Sequence, residues 1–289
     1  MKLNLFSKKA KKEAEPQYYL SPTHIEALNY KVYYMSKKEK AFYFVLAFIV
    51  GAVVGYLFYG GIGKDEFGNP TIITYILDIL IPAITGIAAG ILFVPIRTKQ
   101  ILEKRRKQLS IQFRDMLEGI TTSLGAGNNV VNSFAAVYND LKIQYDDSAY
   151  IIKELEIILS GIHSNFIIED LLEDFGNRSG IDDIKSFANV FKVCYRKGGN
   201  IKDVIGSTYA ILSQKMEINE DIETTVSGSK LDQMIMIVMP VALIGIIKTM
   251  SPEFAANFVS GTGIVSTTIA IGMFIAAYFI GKAIMEIEI

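Results

Sequence analysis

Residues 109–128 read LSIQFRDMLEGITTSLGAGN, and this stretch decides how the middle of the chain folds. Its apolar residues recur at helical spacing and are Leu109, Phe113, Met116, Leu117, Ile120 and Leu124. Because each residue of an α-helix turns the chain by about 100°, this spacing predicts a helix with one buried face. The pattern stops at Leu124-Gly125-Ala126-Gly127-Asn128, where two glycines permit the positive φ of a helix C-cap.

The same one-sided pattern recurs in five more segments. The apolar stripes run over 130–141, 151–162, 167–175, 184–195 and 201–211, and residues that end or start helices separate them. The helix over 167–175 also carries an acidic face, made of Glu169, Asp170, Glu173 and Asp174. Short connections between one-sided helices favour an up-and-down bundle, so we predict about six helices around a common core.

Small residues in the turns between these helices have two possible roles. They follow the first helix and the fifth, and are Gly125, Gly127, Gly198, Gly199 and Asn200. They either cap the helices or act as hinges between them.

Long apolar runs flank this segment on both sides. Residues 41–63 hold no charge across 23 positions, and 71–96 hold only Asp78 before the basic run begins. A third run covers about 231–250 and includes Lys248, and a fourth lies within the charge-free stretch 254–281. At about 1.5 Å per residue, roughly 20 residues cross a hydrocarbon core. The sequence therefore predicts an all-α membrane protein with about four transmembrane helices in two hairpins.

Basic residues set the expected orientation. The N-terminal 40 residues are rich in lysine, the run 97–107 is strongly basic, and Lys64 is the only basic residue of the first connecting turn. Because such residues resist translocation, we place both termini and the central bundle in the cytoplasm of a multi-pass inner-membrane protein. The expected divisions are an N-terminal tail (1–40), a first hairpin (41–96), the bundle (97–230), and a second hairpin with a short C-terminus (231–289). We expect the tail to be flexible to about Pro22 and to continue as a short interfacial helix.

The membrane segments contain small and polar residues that suggest helix packing. Gly51-x-x-x-Gly55 and Gly86-x-x-x-Gly90 each put small residues on one helix face, where they serve packing within the chain or contact in a homodimer. Asp78 and Lys248 lie towards the outer ends of their spans. They either pair with each other or extend separately to the headgroup layer.

Two charged runs allow similar alternatives. The basic run that contains Arg105 and Arg106 binds anionic headgroups or docks a protein partner. The acidic face over 169–174 is solvated surface or meets a partner with a basic rim. A net charge of −1 does not indicate nucleic-acid binding.

Motifs for catalysis or cofactor binding are missing from the sequence. The Gly63-Lys64 pair lacks the spacing glycine and the Ser or Thr of a phosphate-binding loop. His24 and His163 are the only histidines, and Cys194, the single cysteine, lies on an apolar stripe. We therefore expect neither an enzyme nor a cofactor.

Several motifs together resemble a known family. Their order is Phe113-Arg114-Asp115-Met116-Leu117, Leu124-Gly125-Ala126-Gly127, Ile158-Leu159-Ser160-Gly161, Asp170-Leu171-Leu172 and Lys197-Gly198-Gly199-Asn200-Ile201. This series resembles the type II secretion F domain, and the layout with four spans is similar to the tight-adherence (Flp) pilus assembly platform proteins. Lys197 and Asp170-Leu171 depart from the usual family residues, which are a threonine and an alanine-leucine pair.

The resemblance implies a non-enzymatic platform in the inner membrane. Such a protein receives a hexameric assembly ATPase at its cytoplasmic domain and couples ATP-driven motion to the extraction of prepilin subunits into a filament. It also implies a second platform protein, the lipid bilayer, and further copies in a homo- or hetero-oligomer as partners. A membrane-anchored signalling scaffold and a small transporter subunit are the alternatives.

Overall fold

The computed structural model describes residues 15–21, 24–65 and 69–285, and 81% of it is helical. Two strands, β1 (Tyr18–Leu20) and β2 (Glu26–Leu28), precede the helices. The helices are α1 (Lys37–Tyr59), α2 (Ile72–Gly125), α3 (Val130–Gln144), α4 (Tyr150–His163), α5 (Ile168–Ser179), α6 (Asp182–Lys197), α7 (Ile201–Met250), α8 (Pro252–Val259) and α9 (Gly261–Met285). Within the described residues, α1, α2, α7 and α9 are long and apolar enough to cross a membrane. The chain is thus an all-α protein with four candidate membrane-spanning helices.

The described residues divide into two compact units. Unit 1 comprises those up to Tyr34 and from Lys99 to Gln214, and unit 2 comprises those from Met35 to Thr98 and from Lys215 onward. Helices α2 and α7 each contribute residues to both units. The predicted second and third spans are therefore parts of longer helices rather than separate elements.

Unit 1 has one hydrophobic core, and the stripe on α2 lies inside it. The residues of that stripe that are fully buried are Leu109, Phe113, Met116, Leu117 and Ile120. The Phe113 ring meets the rings of Phe175 and Phe187 edge to face, with centroids 6.1 and 5.4 Å apart. Residues of α3, α4, α6 and α7 complete the core and include Phe134, Leu155, Phe191 and Ile205.

Helices α5 and α6 pack closely because of two glycines. A Cβ atom at Gly176 would lie 3.1 Å from the Cα of Lys185 and 3.3 Å from the Cβ of Ala188, so any larger residue would push the two helices apart by a few tenths of an ångström. Gly180 ends α5 with φ +63°, a left-handed conformation that turns the chain directly into α6.

The N-terminal segment differs from the predicted tail and interfacial helix. Residues 1–14 and 22–23 lie outside the described part. The described residues before Lys37 form an antiparallel pair of strands, β1 and β2, and no helix. Tyr30 is buried in the unit 1 core, and its backbone N–H donates to the carbonyl oxygen of Arg178 over 2.9 Å. Such tertiary contacts give this backbone partners without a helix. The first helix begins at Lys37, where Ser36 and Glu39 form a capping box.

Unit 2 contains the apolar helices, and its fourth candidate span lies within the predicted stretch 254–281. Residues 254–259 belong to α8, because Ser251 caps that short helix and Pro252 occupies its first turn. The candidate span begins at Gly261 and ends at Gly281. At the other end of the unit, α1 stops at Tyr59, and Gly61 and Gly63 adopt positive φ in the turn that follows.

Candidate functional site

The acidic residues of α5 form an ionic cluster with α6 instead of a uniformly solvated face. Glu169 is buried with 4% of its surface exposed, which contradicts its expected position on the outer face. Arg196 reaches from α6 to Glu169 at 3.5 Å and to Asp170 at 3.7 Å. Lys192 pairs with Asp170 at 3.4 Å and with Glu173.

These contacts leave a surface of mixed charge, which we call the α5–α6 charged face: Asp170, Glu173, Lys192 and Arg196. The side chains of Asp170 and Arg196 are about half exposed, with 52% and 54% of their surface accessible. The hydrogen bond with Glu173 raises the pKa of Lys192, so the cation stays charged at neutral pH. The cations therefore already neutralise much of the acidic cluster within the chain.

A buried polar network lies behind this face, and the sequence reading missed it. The Arg178 guanidinium binds both carboxylate oxygens of Glu154, at 3.0 and 2.8 Å, and its Nε donates to Asp174 over 2.7 Å. It also donates to the carbonyl oxygen of Leu28 at 3.0 Å, and the Tyr30 hydroxyl donates to Glu154 at 3.0 Å. We call these groups the Arg178–Glu154 network.

Burial and charge act on the pKa values of this network. Burial opposes the charge of Arg178, but the hydrogen bonds and the negative charge of Glu154 raise the pKa of the guanidinium overall. Burial, followed by the charge of Glu154, raises the pKa of Tyr30 well above its ordinary value. Glu154 lies on the apolar stripe of α4, three residues after Ile151 and four before Ile158. A charged residue at such a position was the one signal in the sequence for a buried polar network.

Arg105 and Arg106, the predicted docking residues, contact the N-terminal segment. Arg106 donates to the carbonyl oxygens of Tyr30 and Lys31, at 2.9 and 3.1 Å. The Arg105 guanidinium lies 4.7 Å from the ring centroid of Tyr33. Both side chains hold the segment on unit 1, so they are not simply free for a partner or for headgroups.

The glycine-rich turns are helix ends in the structure. Gly127 and Gly198 have φ of +93° and +71°, and a Cβ atom at either position would meet nothing within 4 Å. Their conformation, and not close packing, therefore selects glycine. Gly125 is the last residue of α2, the N–H of Gly199 donates to the carbonyl of Cys194, and Asn200 binds the side chain of Asp203. These contacts are those of caps, and the hinge role stays a prediction.

In unit 2 the two glycine motifs face each other. A Cβ atom at Gly51 would lie 2.6 Å from the Cβ of Ala89, and one at Gly86 would lie 2.7 Å from the ring of Phe48. Gly55 faces Thr85 and Gly90 faces the Phe44 ring in the same way. Thr85 donates its hydroxyl to the carbonyl oxygen of Gly51 over 3.1 Å. These glycines thus let α1 and α2 of one chain pack closely, and a homodimer contact stays a prediction.

Asp78 and Lys248 both contact the backbone of residues 58–61, where α1 ends and the turn begins. Asp78 accepts a hydrogen bond from the N–H of Gly61 at 2.7 Å. The Lys248 ammonium lies 3.5 Å from the carbonyl oxygens of Phe58 and Gly60. Among the described residues no ion pair within 4.0 Å joins the two side chains, so the turn links them indirectly.

Side chains that could bind a metal ion are dispersed over the described ranges. There, no group of three or more His, Cys, Asp or Glu side chains is placed to hold a metal ion. Cys194 is a free thiol of intermediate exposure on α6 and not a fully buried residue.

Comparisons with known proteins return no relative. No family model matches the chain, and no curated protein or solved structure matches it significantly. The likeness to the F domain therefore stands on the motifs of the sequence.

Proposed function

We propose that the chain is an inner-membrane platform protein of a type IV pilus of the tight-adherence (Flp-like) kind or of a type II secretion machine. In this role it couples a cytoplasmic assembly ATPase to the extraction and polymerisation of pilin subunits. The observation that carries the proposal is that α2 and α7 each contain an apolar candidate span together with residues of the unit 1 core, such as Phe113 and Ile205. A displacement of unit 1 would act on the spans through the backbone of these two helices.

The proposed topology has two membrane hairpins, with both termini and unit 1 in the cytoplasm. Unit 1 is then the bundle of about six helices. The basic residues after the second span, from Arg97 to Lys107, support this orientation. Single cysteines introduced at Asp140 in α3 and at Lys64 in the first turn, in a chain with Cys194 replaced by serine, test it. We expect an impermeant thiol reagent on intact cells to label the Lys64→Cys variant and not the Asp140→Cys variant.

The α5–α6 charged face is the proposed docking surface for the ATPase. Asp170 is exposed, Glu173 is partly exposed, and both lie beside two cations, so a partner that carries both signs of charge would fit them. Glu169 is buried and pairs with Arg196, and Asp174 is partly buried and pairs with Arg178, so both acids already have partners within the chain.

The decisive experiment is affinity purification of the full chain from detergent-solubilised native membranes. We expect a hexameric secretion ATPase to be retained, and we expect Asp170→Lys combined with Glu173→Lys to reduce it at least about tenfold, as for the loss of about 1.4 kcal/mol of binding. Asp140→Lys, on the exposed side of α3, is the matched control. Retention of no ATPase by the folded wild-type chain would overturn the proposed function.

A further inference from the structure

Unit 2 contains a cavity of about 1000 Å³ at one end of its helices. Its walls come from the end of α1 and the following turn, the end of α7, and α8; they include Tyr56, Leu57, Lys64, Lys248, Glu253 and Val259. Its volume reaches the upper end of the range for small-molecule sites, roughly 300–1,000 Å³. We call it the α7–α8 pocket.

Lys248 lines this pocket, and its ammonium is poorly satisfied. Its two hydrogen-bond contacts, with backbone carbonyl oxygens, are both 3.5 Å long, at the outer limit of a hydrogen bond. A charge-assisted bond to a phosphate is usually about 2.7–2.9 Å long. The ammonium also lies 5.3 Å from the centroid of the Phe258 ring. Lys248 therefore has donor capacity left for an anionic group.

The other charges of the pocket have both signs. Lys64 is exposed and adds a second cation, and Glu253 in the first turn of α8 adds an exposed carboxylate. Asp65 also lines the pocket, but it accepts a hydrogen bond from the Asn69 N–H at 2.7 Å and closes its own loop. Two cations and one available carboxylate match a ligand that carries a phosphate and an ammonium.

Much of the remaining wall is apolar, although it includes Thr249 and Ser260, and this apolar part decides the class of ligand. Leu57, Val259 and the ring of Tyr56 lie in the same cavity as the charged groups. The cavity borders the ends of α1 and α7, two of the four helices with the composition of membrane spans. Charged groups beside an apolar wall at the end of a span suit a lipid, because a lipid joins a charged headgroup to an apolar acyl chain.

We propose that the α7–α8 pocket binds the headgroup of a zwitterionic phospholipid with a primary amine, phosphatidylethanolamine. Its phosphate binds Lys248 and Lys64, and its ammonium donates to Glu253. A quaternary ammonium, as in phosphatidylcholine, has no N–H to donate and binds more weakly. This inference concerns the membrane unit alone and does not depend on the pilus or secretion role.

The test is lipid competition on the purified full chain. The chain is reconstituted in nanodiscs that contain equal parts of phosphatidylethanolamine, phosphatidylcholine and phosphatidylglycerol, and the lipids that stay bound after release into detergent are counted by native mass spectrometry. We expect phosphatidylethanolamine to exceed phosphatidylcholine about fivefold. Lys248→Gln and Lys64→Gln should each reduce all retained phospholipid by about that factor. Glu253→Gln should instead abolish the preference for phosphatidylethanolamine over phosphatidylcholine.

The controls separate binding from folding and from general charge. Lys153→Gln removes an equivalent exposed charge from α4 of unit 1 and should leave retention unchanged. If Lys248→Gln fails to fold, Lys248→Arg and the two exposed positions Lys64 and Glu253 still decide the question. Wild-type retention by Lys64→Gln, or a preference for phosphatidylglycerol that Glu253→Gln leaves unchanged, would overturn the proposal. Release of the lipid by an acidic peptide at equal concentration would assign the pocket to a protein partner and overturn it too.

Discussion

Replacement of Glu154 by leucine is the sharpest test of the Arg178–Glu154 network. The change removes two hydrogen bonds from the Arg178 guanidinium and one from the Tyr30 hydroxyl, and all three side chains are buried. The loss of one partner from a buried ion pair costs about 3–5 kcal/mol, and we expect the lower end of this range because Asp174 stays bound to Arg178. Since 1 kcal/mol shifts the melting temperature of a domain of this size by about 2–4 °C, we expect a decrease on the order of 10 °C.

The assay is thermal unfolding of the full chain in detergent, followed by near-ultraviolet circular dichroism. Hydrogen exchange of residues 24–34 provides a local readout, because Arg178 and Arg106 both bind the backbone of this segment. Glu156→Leu is the matched control. Glu156 lies two residues further on the same helix and accepts a hydrogen bond from Tyr138 at the surface, so its loss should cost less than about 1 kcal/mol.

A double replacement distinguishes the network from simple packing. Glu154→Leu with Arg178→Met removes both charges and fills the space with apolar atoms, which is often close to neutral in buried pairs. We expect the double variant to recover more than half of the stability that Glu154→Leu loses. Arg178→Met alone completes the comparison. If Glu154→Leu melts within about 2 °C of the wild type, or if the stability losses of the two single variants simply add in the double variant, the reasoning about the buried Arg178 charge is refuted.

Three further predictions concern packing, backbone conformation and pH. Gly86→Leu should lower the stability of unit 2 by several kcal/mol, because the new side chain clashes with the Phe48 ring. Gly272→Leu is the control and should leave the stability unchanged, because a Cβ atom there meets nothing within 4 Å. The melting temperature in detergent compares the two variants. Gly198→Ala should cost about 1 kcal/mol because of its positive φ, while Gly228→Ala within α7 should be neutral or stabilising by urea unfolding. Burial and the hydrogen bond to Asp115 raise the pKa of Tyr145 from its usual value to about 12, so its contribution is complete below about pH 10 and is lost as the pH rises through 12. Tyr145→Phe should therefore flatten the decline of stability over that range, and an unchanged decline would contradict this.

The periodic part of the fold was readable from the sequence. The stripe from Leu109 to Ile120 is buried, and the four candidate spans have the predicted composition. Both features depend on spacing along one helix, which the chain displays directly. The fourth span lies within its predicted charge-free run, but its start there was not predicted, because Ser251 and Pro252 begin a separate short helix and hydropathy alone does not distinguish the two.

The tertiary polar contacts were much less predictable. Tyr30 and Arg178 are 148 positions apart in the sequence and Glu154 lies on a third element, so no local pattern brings them together. The N-terminal strands depend on the same contacts, since Arg178 binds the carbonyl of Leu28. The sequence offered only the charged residue Glu154 on an apolar stripe, and that signal does not identify its partners.

The α5–α6 charged face follows from a packing feature, and this limits the partners it suits. Gly176 lets α6 approach α5, and this approach brings Lys192 and Arg196 within 4 Å of the acidic residues. A partner with only a basic rim would compete with cations that are already in place and would gain little net charge complementarity. A partner with alternating charges can keep these pairs and extend them. Lys192→Glu, which leaves every acidic residue of α5 intact, should therefore weaken ATPase retention as much as the charge reversal of Asp170 and Glu173. Stronger retention by Lys192→Glu would instead show that the partner binds only the acidic residues.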